Sequence, residues 1–283
     1  MAIDTHNHPP AAILYRMMPL PYHAPPKANS TALHSNMAER TDEIWKTSAL
    51  AAVYLEGVRG AIPLAGEQLD VMLRLIVACG RPIKRFLDLG CGDGVLSSAI
   101  LGSHPEAQGV LVDFSAPMLD AAARRFADQL ASVRFVNADY ALPSWTASVA
   151  DYGPYDAIVS GYSIHHQPDA RKREIYREIF GLLGAGGVFV HVEHVAPGSA
   201  WAAAISDELF VDHLHRSHRE KSREDVARTY YRRPDKAANI LAPVELQCQW
   251  LREIGFAHVD CYLKIFELAV FGGRRPSPSS LPE

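Results

Sequence analysis

The chain has 283 residues, enough to bury one substantial core with at most a small accessory unit. Apolar residues make up 48% and charged residues 21%, as in ordinary soluble enzymes, and a net charge of −4 argues against a general nucleic-acid-binding surface. The longest apolar stretches are strand-sized, which excludes a transmembrane helix. Cys79, Cys91, Cys248 and Cys261 lack the spacing of a disulfide framework or a thiolate zinc site, so a cytoplasmic protein is expected.

Residues 1–36 are crowded with prolines and show neither helical nor strand period, so a disordered extension is expected, with Met37 as an alternative start. The spacing predicts helices from Glu43 to about Gly57 and from Glu67 to about Cys79. These make residues 37–80 an N-terminal helical cap, interrupted by a loop around Arg59-Gly-Ala-Ile-Pro63. Phe86-Leu87-Asp88-Leu89 reads as a buried strand. It runs into alternating glycines at Gly90, Gly92 and Gly94, followed by a helical stretch from Val95. A strand, glycine turn and helix in that order bring backbone close to a nucleotide-like ligand.

Val110-Leu111-Val112 is a second strand ending at Asp113, 23 residues after Gly90 (113 − 90), and an acid there can accept both hydroxyls of a ribose. A third strand, 133–136, leads to Asn137-Ala138-Asp139-Tyr140, and a fourth, 155–159, leads to Ser160-Gly161. A fifth, 187–193, follows a glycine turn. Helices fit 117–130, 171–183 and 243–254, and two final strands fit 259–264 and 268–271. Residues 275–283 read as a disordered tail. Between the fifth strand and Pro243, residues 196–242 are too long for a minimal fold of this kind and look helical. Such an insertion at the C-terminal edge of a parallel sheet suits a lid, with Trp201, Leu209, Phe210, Tyr230 and Tyr231 as candidate walls or as filling for the seam.

The glycine loop, Asp113, Asp139 and the Gly-Gly before the fifth strand together resemble the class I S-adenosylmethionine (SAM) methyltransferases over residues 43–273. The resemblance implies an α/β Rossmann-like fold: a seven-stranded mixed sheet with helices on both faces and SAM as cofactor. It implies that Asp88, Gly90, Gly92 and Gly94 surround the methionine part, that Asp113 binds the ribose and that Asp139 binds the adenine amino group. Phe114 and Met118 would flank the adenine, with Tyr140 and Ser160 nearby. A doubly wound domain with another nucleotide, or with none, is the alternative. Arg59-Gly-Ala-Ile-Pro63, Tyr231-Arg232 and the C-terminal ending also resemble carboxy-SAM synthase, in which an arginine at about the place of Arg232 holds the new carboxylate. Tyr and Arg both repeat in Tyr230-Tyr231-Arg232-Arg233, so the register is open by one. Arg59, His165, Tyr231 and Arg232 are the substrate-binding candidates.

Seven of the 13 histidines lie between His165 and His218. His165-His166 follow the fourth strand, where the loop faces the transferred methyl group in the resembled fold, and strand alternation puts His191 and Glu193 on one face. His166 and His191 are the candidate bases; His166, His191 and Glu193 are an alternative ligand set for Fe or Zn. The segment Arg216–Lys236 carries eight Lys/Arg against four Asp/Glu, which suits either an anion clamp or an ordinary solvated face. The expected function is methylation of a small organic acceptor at O, N or C by a monomer or homodimer. Carboxy-SAM synthesis and an inactive SAM-binding regulator are the alternatives.

Overall fold

The computed structural model describes residues 40–55 and 61–277. The proline-rich extension, Arg59 and the tail beyond residue 277 lie outside the described residues. A seven-stranded sheet has the order β3-β2-β1-β4-β5-β7-β6. Its strands are β1 (Arg85–Leu89), β2 (Gln108–Asp113), β3 (Val133–Asn137), β4 (Tyr155–Gly161), β5 (Leu183–His194), β6 (Ala257–Ile265) and β7 (Leu268–Arg274). The first five pair in parallel, whereas β7 runs antiparallel to both β5 and β6.

Strand alternation divides the core into two layers. Leu87, Leu89, Ile158, Phe189 and Phe271 face one side, packed with residues of α5 (Asp169–Leu182) and α8 (Val244–Ile254). Phe86, Ala157, Val159, Val188, Val190 and Val270 face the other, packed with α2 (Ala65–Val77), α3 (Val95–Ser103) and α4 (Ala116–Arg125). Both faces of the parallel strands are covered, which is why these segments read as continuous apolar runs rather than as alternating ones.

The N-terminal helices differ from expectation. The segment expected to be one helix from Glu43 is a 3-10 turn, Thr41–Lys46, then a short α1 (Ser48–Val53). Thr47 breaks it: its backbone is extended (φ −88°, ψ 132°) and its hydroxyl oxygen accepts from the amide of Leu50. The second expected helix, α2, is mostly a packing element, with Met72 and Ile76 fully buried against the sheet. Only its first turns approach the strand ends.

The insertion after β5 folds as α6 (Ala200–Ser217), α7 (Arg223–Tyr231) and a 3-10 turn, Pro234–Ala238. Val211, Leu214, Val226 and Tyr230 form a small core of their own. Ser199 and Ser222 cap α6 and α7 by accepting from Ala202 N and Asp225 N, both at 3.1 Å. Among the described residues, no helix is long and apolar enough to cross a membrane.

The tightest backbone approach in the sheet is at Gly272, opposite Val190 on β5, where a Cβ would lie 2.0 Å from the Phe189 carbonyl oxygen. Gly272→Ala should therefore lower the free energy of unfolding by about 1–3 kcal/mol in denaturant titrations. Gly181→Ala, in open space on α5, should raise it by up to ~1 kcal/mol.

Candidate active site

The strand order reverses between β1 and β4, and a cavity of about 240 Å³ lies at their C-terminal ends. The loop after β1 forms one wall. Gly90, Gly92 and Gly94 all have positive φ (69°, 54° and 80°), so the turn needs residues without a Cβ. At Gly90 there is also no room, since a Cβ would meet the Ser163 hydroxyl at 1.9 Å. The amides of Gly90 and Cys91 both donate to the Val112 carbonyl, at 2.8 and 2.9 Å. Asp88 fixes the start of α3 by accepting from the amide and hydroxyl of Ser97 at 3.2 and 2.7 Å.

Asp113 ends β2 against this loop. Its carboxylate accepts from the amides of Gly92 at 2.9 Å and Ser115 at 2.8 Å. Burial pushes its pKa up to about 6, against the backbone hydrogen bonds from Ser115, Gly92 and Phe114 that favour the charged form.

Asp88, Gly90, Gly92, Asp113, Phe114, Met118 and Tyr140 border the cavity, together with His165 and His166. Several expected residues do not reach it. Gly94 ends the loop as the residue before α3 and packs against Phe126, while Ser160 is fully buried and donates to the Leu89 carbonyl at 2.7 Å. Asp139 is engaged by Arg40, whose guanidinium pairs with both Asp42 and Asp139 and lies 5.8 Å from the Phe114 ring centre. Burial works against the Arg40 charge, but its hydrogen bonds to the two carboxylates outweigh that and raise its pKa.

The opposite wall is built around Glu193. This carboxylate has no solvent exposure and sits at the end of β5. It accepts from His165 Nδ1 at 2.6 Å, from the His165 amide at 3.0 Å and from the His194 amide at 2.7 Å. His191 Nε2 is 2.8 Å away but poorly directed for a hydrogen bond. Burial alone would favour the neutral acid, yet the neighbouring histidines hold Glu193 well below the usual carboxylate range. His165 is shifted the other way: burial lowers its pKa and Glu193 only partly restores it. The pair is therefore a carboxylate and a neutral imidazole. Since the carboxylate only accepts, Nδ1 carries the proton and Nε2 has the lone pair.

The other histidines have different partners. His166 also borders the cavity, with Nδ1 3.2 Å from the Ala238 carbonyl oxygen; burial drops its pKa to about 3. His191 is a correction to the sequence reading. It is fully buried behind Glu193, its Nδ1 is 3.2 Å from the Tyr176 hydroxyl, and it does not line the cavity. His194, not singled out from sequence, does line it, with Nε2 2.8 Å from Glu267. The set His166, His191 and Glu193 fails as a metal centre for the same reason: the two imidazoles face different partners. Among the described residues, no group of three His, Cys, Asp or Glu is placed to hold a metal ion.

The lid contributes Phe210, Tyr230, Arg233 and Lys236 to the cavity wall. Tyr231 and Arg232 are exposed instead, which corrects the expected pair by one residue on each side. The reason is packing: Tyr230 stacks on Phe210 at 6.0 Å and donates to Asp207 at 2.8 Å, so its neighbour on α7 faces out. Trp45, also missed from sequence, borders the cavity from the N-terminal turn. It lay in an expected continuous helix whose break at Thr47 decides where the ring points.

Residues 86–187 match the model of a methyltransferase domain. The chain is similar to an uncharacterised methyltransferase of Mycobacterium tuberculosis, 35% identical over 129 residues, or 46% of this chain and 57% of that protein. It is also similar to the trans-aconitate 2-methyltransferase of Methylobacterium radiotolerans, 32% identical over 143 residues, or 46% of this chain and 50% of that protein. The chain thus spans about half the length of the curated relatives it matches. An O-methyltransferase family protein from Burkholderia thailandensis superimposes with a TM-score of 0.51 at 18% identity, covering 74% of this chain and 57% of that one. The CurJ carbon methyltransferase gives 0.53 at 18% identity, covering 74% and 54%. The fold is the Rossmann-like methyltransferase fold, and SAM is the cofactor of the family.

Removing the Glu193 side chain would strand several buried donors at once. Glu193→Ala should cost about 3–5 kcal/mol of stability in chemical denaturation, far more than Glu43→Ala on the surface.

Proposed function

We propose that this protein transfers the methyl group of SAM to a small organic acceptor whose reacting atom carries a removable proton, with His165 as the general base. One observation carries the reading: the glycine loop, Asp113 and His165, whose Nδ1 is held by the buried Glu193 behind it, border the same cavity. The first wall suits a cofactor with a ribose. Asp113 would accept its two hydroxyls, the glycine loop would pass along its methionine part, and Phe114 and Met118 would flank its adenine; Asp139, off the cavity and paired with Arg40, would accept the amino group only by releasing that arginine. The fit is chemical: a buried carboxylate raised in pKa gains from two hydroxyl donors that replace lost water.

Bound SAM supplies an electrophilic methyl on a sulfonium. The rest falls to the chain. The covers hold the acceptor in line with the methyl, which recovers the entropic cost of bringing two molecules together. His165 Nε2 takes the acceptor's proton, and Glu193, hydrogen-bonded to Nδ1, stabilises the imidazolium that forms. A base of this kind contributes roughly 10²–10⁴-fold. His191 serves at one remove, as a positioning residue packed against Glu193.

Carboxylated-SAM chemistry would need a guanidinium open to a carboxylate. Arg233 borders the cavity but is paired with Asp235, and Arg232 is exposed, so no observation favours that chemistry here.

His165→Asn should keep the affinity for S-adenosylhomocysteine (SAH) within about twofold and lower kcat by roughly 10²–10³-fold in a methyl-transfer assay. Unchanged turnover would remove His165 from the mechanism.

Asp113 gives a pH dependence with a definite sign. Its folded pKa, about 6, lies above its ordinary value of 3.8, so below pH 6 the carboxyl is protonated and accepts hydroxyls poorly. SAH affinity by calorimetry should rise between pH 5 and 7 and then level off. Asp113→Asn should be flat over that range and weaker by about 1–3 kcal/mol at pH 7.

A further inference from the structure

We propose that the acceptor is a planar aromatic or conjugated ring bearing an ionisable hydroxyl and a second oxygen, the hydroxyl on His165 and the second oxygen on the indole N–H of Trp45. This rests on the methyl-transfer reading above and narrows its acceptor.

The observation behind it is an unused donor. Trp45 borders the cavity, and its Nε1 is buried with no hydrogen-bond partner among the described residues. A buried N–H left without an acceptor is costly and rare, so one that faces a ligand cavity is best explained by an oxygen that the ligand brings. The ring is held in place for this. Its own carbonyl accepts from the Ser115 hydroxyl at 2.7 Å, and Tyr54 meets the indole edge-on at 5.4 Å and 88°. It also lies 5.8 Å from the His166 ring, which is 4.0 Å from that of His165, so ring contacts link the donor to the base.

The surrounding chemistry selects the ring. Tyr54, Phe210 and Tyr230 supply flat apolar wall. The lid's two cations at the cavity are already neutralised. Arg233 pairs with Asp235, and Lys236 lies 2.9 Å from Asp207 and 4.0 Å above the Tyr230 ring. A carboxylate acceptor would find no unpaired positive charge among the described lid residues that border the cavity. It would also arrive without a proton, leaving the His165–Glu193 pair nothing to do. A phenol or enol has the proton, and its ring matches the walls.

The reaction balances without any redox partner. The S–CH₃ bond breaks with its electron pair left on sulfur, giving SAH. The O–CH₃ bond forms, and the hydroxyl proton passes to His165 Nε2 and then to water.

Two probe pairs test this: 4-hydroxyacetophenone against 4-ethylphenol, and 6-acetyl-2-naphthol against 6-ethyl-2-naphthol, with propane-1,2,3-tricarboxylate as the anionic contrast. Transfer of labelled methyl from SAM is measured by mass spectrometry, and SAH affinity is measured in parallel. The ketone of at least one pair should exceed its ethyl partner in kcat/KM by about tenfold or more in the wild-type protein. Trp45→Phe should bring that ratio close to one while leaving SAH affinity within about twofold. Equal rates within both wild-type pairs overturn the proposal even if Trp45→Phe folds poorly, and because an acyl group also acidifies the hydroxyl, it is the collapse of the ratio in Trp45→Phe that assigns the effect to the indole. Equal rates within both wild-type pairs, preferred methylation of the tricarboxylate, an unchanged ratio in Trp45→Phe, or a tenfold loss of SAH affinity in it would each overturn the proposal. Binding of SAH with no probe methylated would overturn the acceptor class alone. Failure of the wild-type protein to bind SAH would overturn the methyl-transfer reading on which it rests.

Discussion

Glu193 holds a negative charge where no water reaches, and the rest of the chamber is arranged around that charge. A bare buried carboxylate is untenable, so β5 must end against donors, and the loop after β4 provides most of them. His165 contributes both its amide and its imidazole, which fixes that loop in backbone and side chain at once. The fixed loop then ties down both covers. The His165 carbonyl accepts from the Ile240 amide at 3.0 Å, His166 reaches the Ala238 carbonyl, and Gln167 donates to Asp42 at 2.8 Å. The His165 imidazole, the insertion after β5 and the N-terminal turn therefore share one anchor, and a disturbance at Glu193 is felt in all three.

The cofactor wall follows a different principle. Its parts are backbone amides and glycines, which leave little to titrate or rotate. Asp113 is the exception, and its position is under tension. Burial penalises its charge while the loop amides reward it, so the group rests near neutrality in pKa terms rather than deep in the ionised range. A carboxylate in that state responds strongly to new donors. The Glu193 carboxylate, saturated by the protein itself, does not.

The sheet was legible because its signals are local. Phe86 to Leu89 followed by alternating glycines can hardly be anything other than a buried strand and a tight turn, and the acid at Asp113 sits at a strand end by simple counting. The two strands after Gly255-Phe256 were equally plain. Legibility failed where a residue's meaning depends on a distant partner. Asp139 and Arg40 are 99 positions apart, and no pattern links them. His191 and Glu193 share a face, as alternation required, but alternation does not say that both stay behind the cavity while His165, held by Glu193, borders it. On α7, one stacking contact between Tyr230 and Phe210 decided which tyrosine and which arginine turn inward, and the helical period was compatible with either.

Arg40 is a planar group with several N–H donors that lies by the Phe114 ring and holds the Asp139 carboxylate. In shape and hydrogen bonding it is a miniature of an aminopurine edge. Whatever docks at Asp139 must therefore swap places with part of the chain itself, one set of donors for another. Such a trade changes the number of hydrogen bonds little, so it adds little net affinity. It turns that end of the chamber into a comparator, where a newcomer is accepted only if it serves Asp139 as well as the resident arginine does.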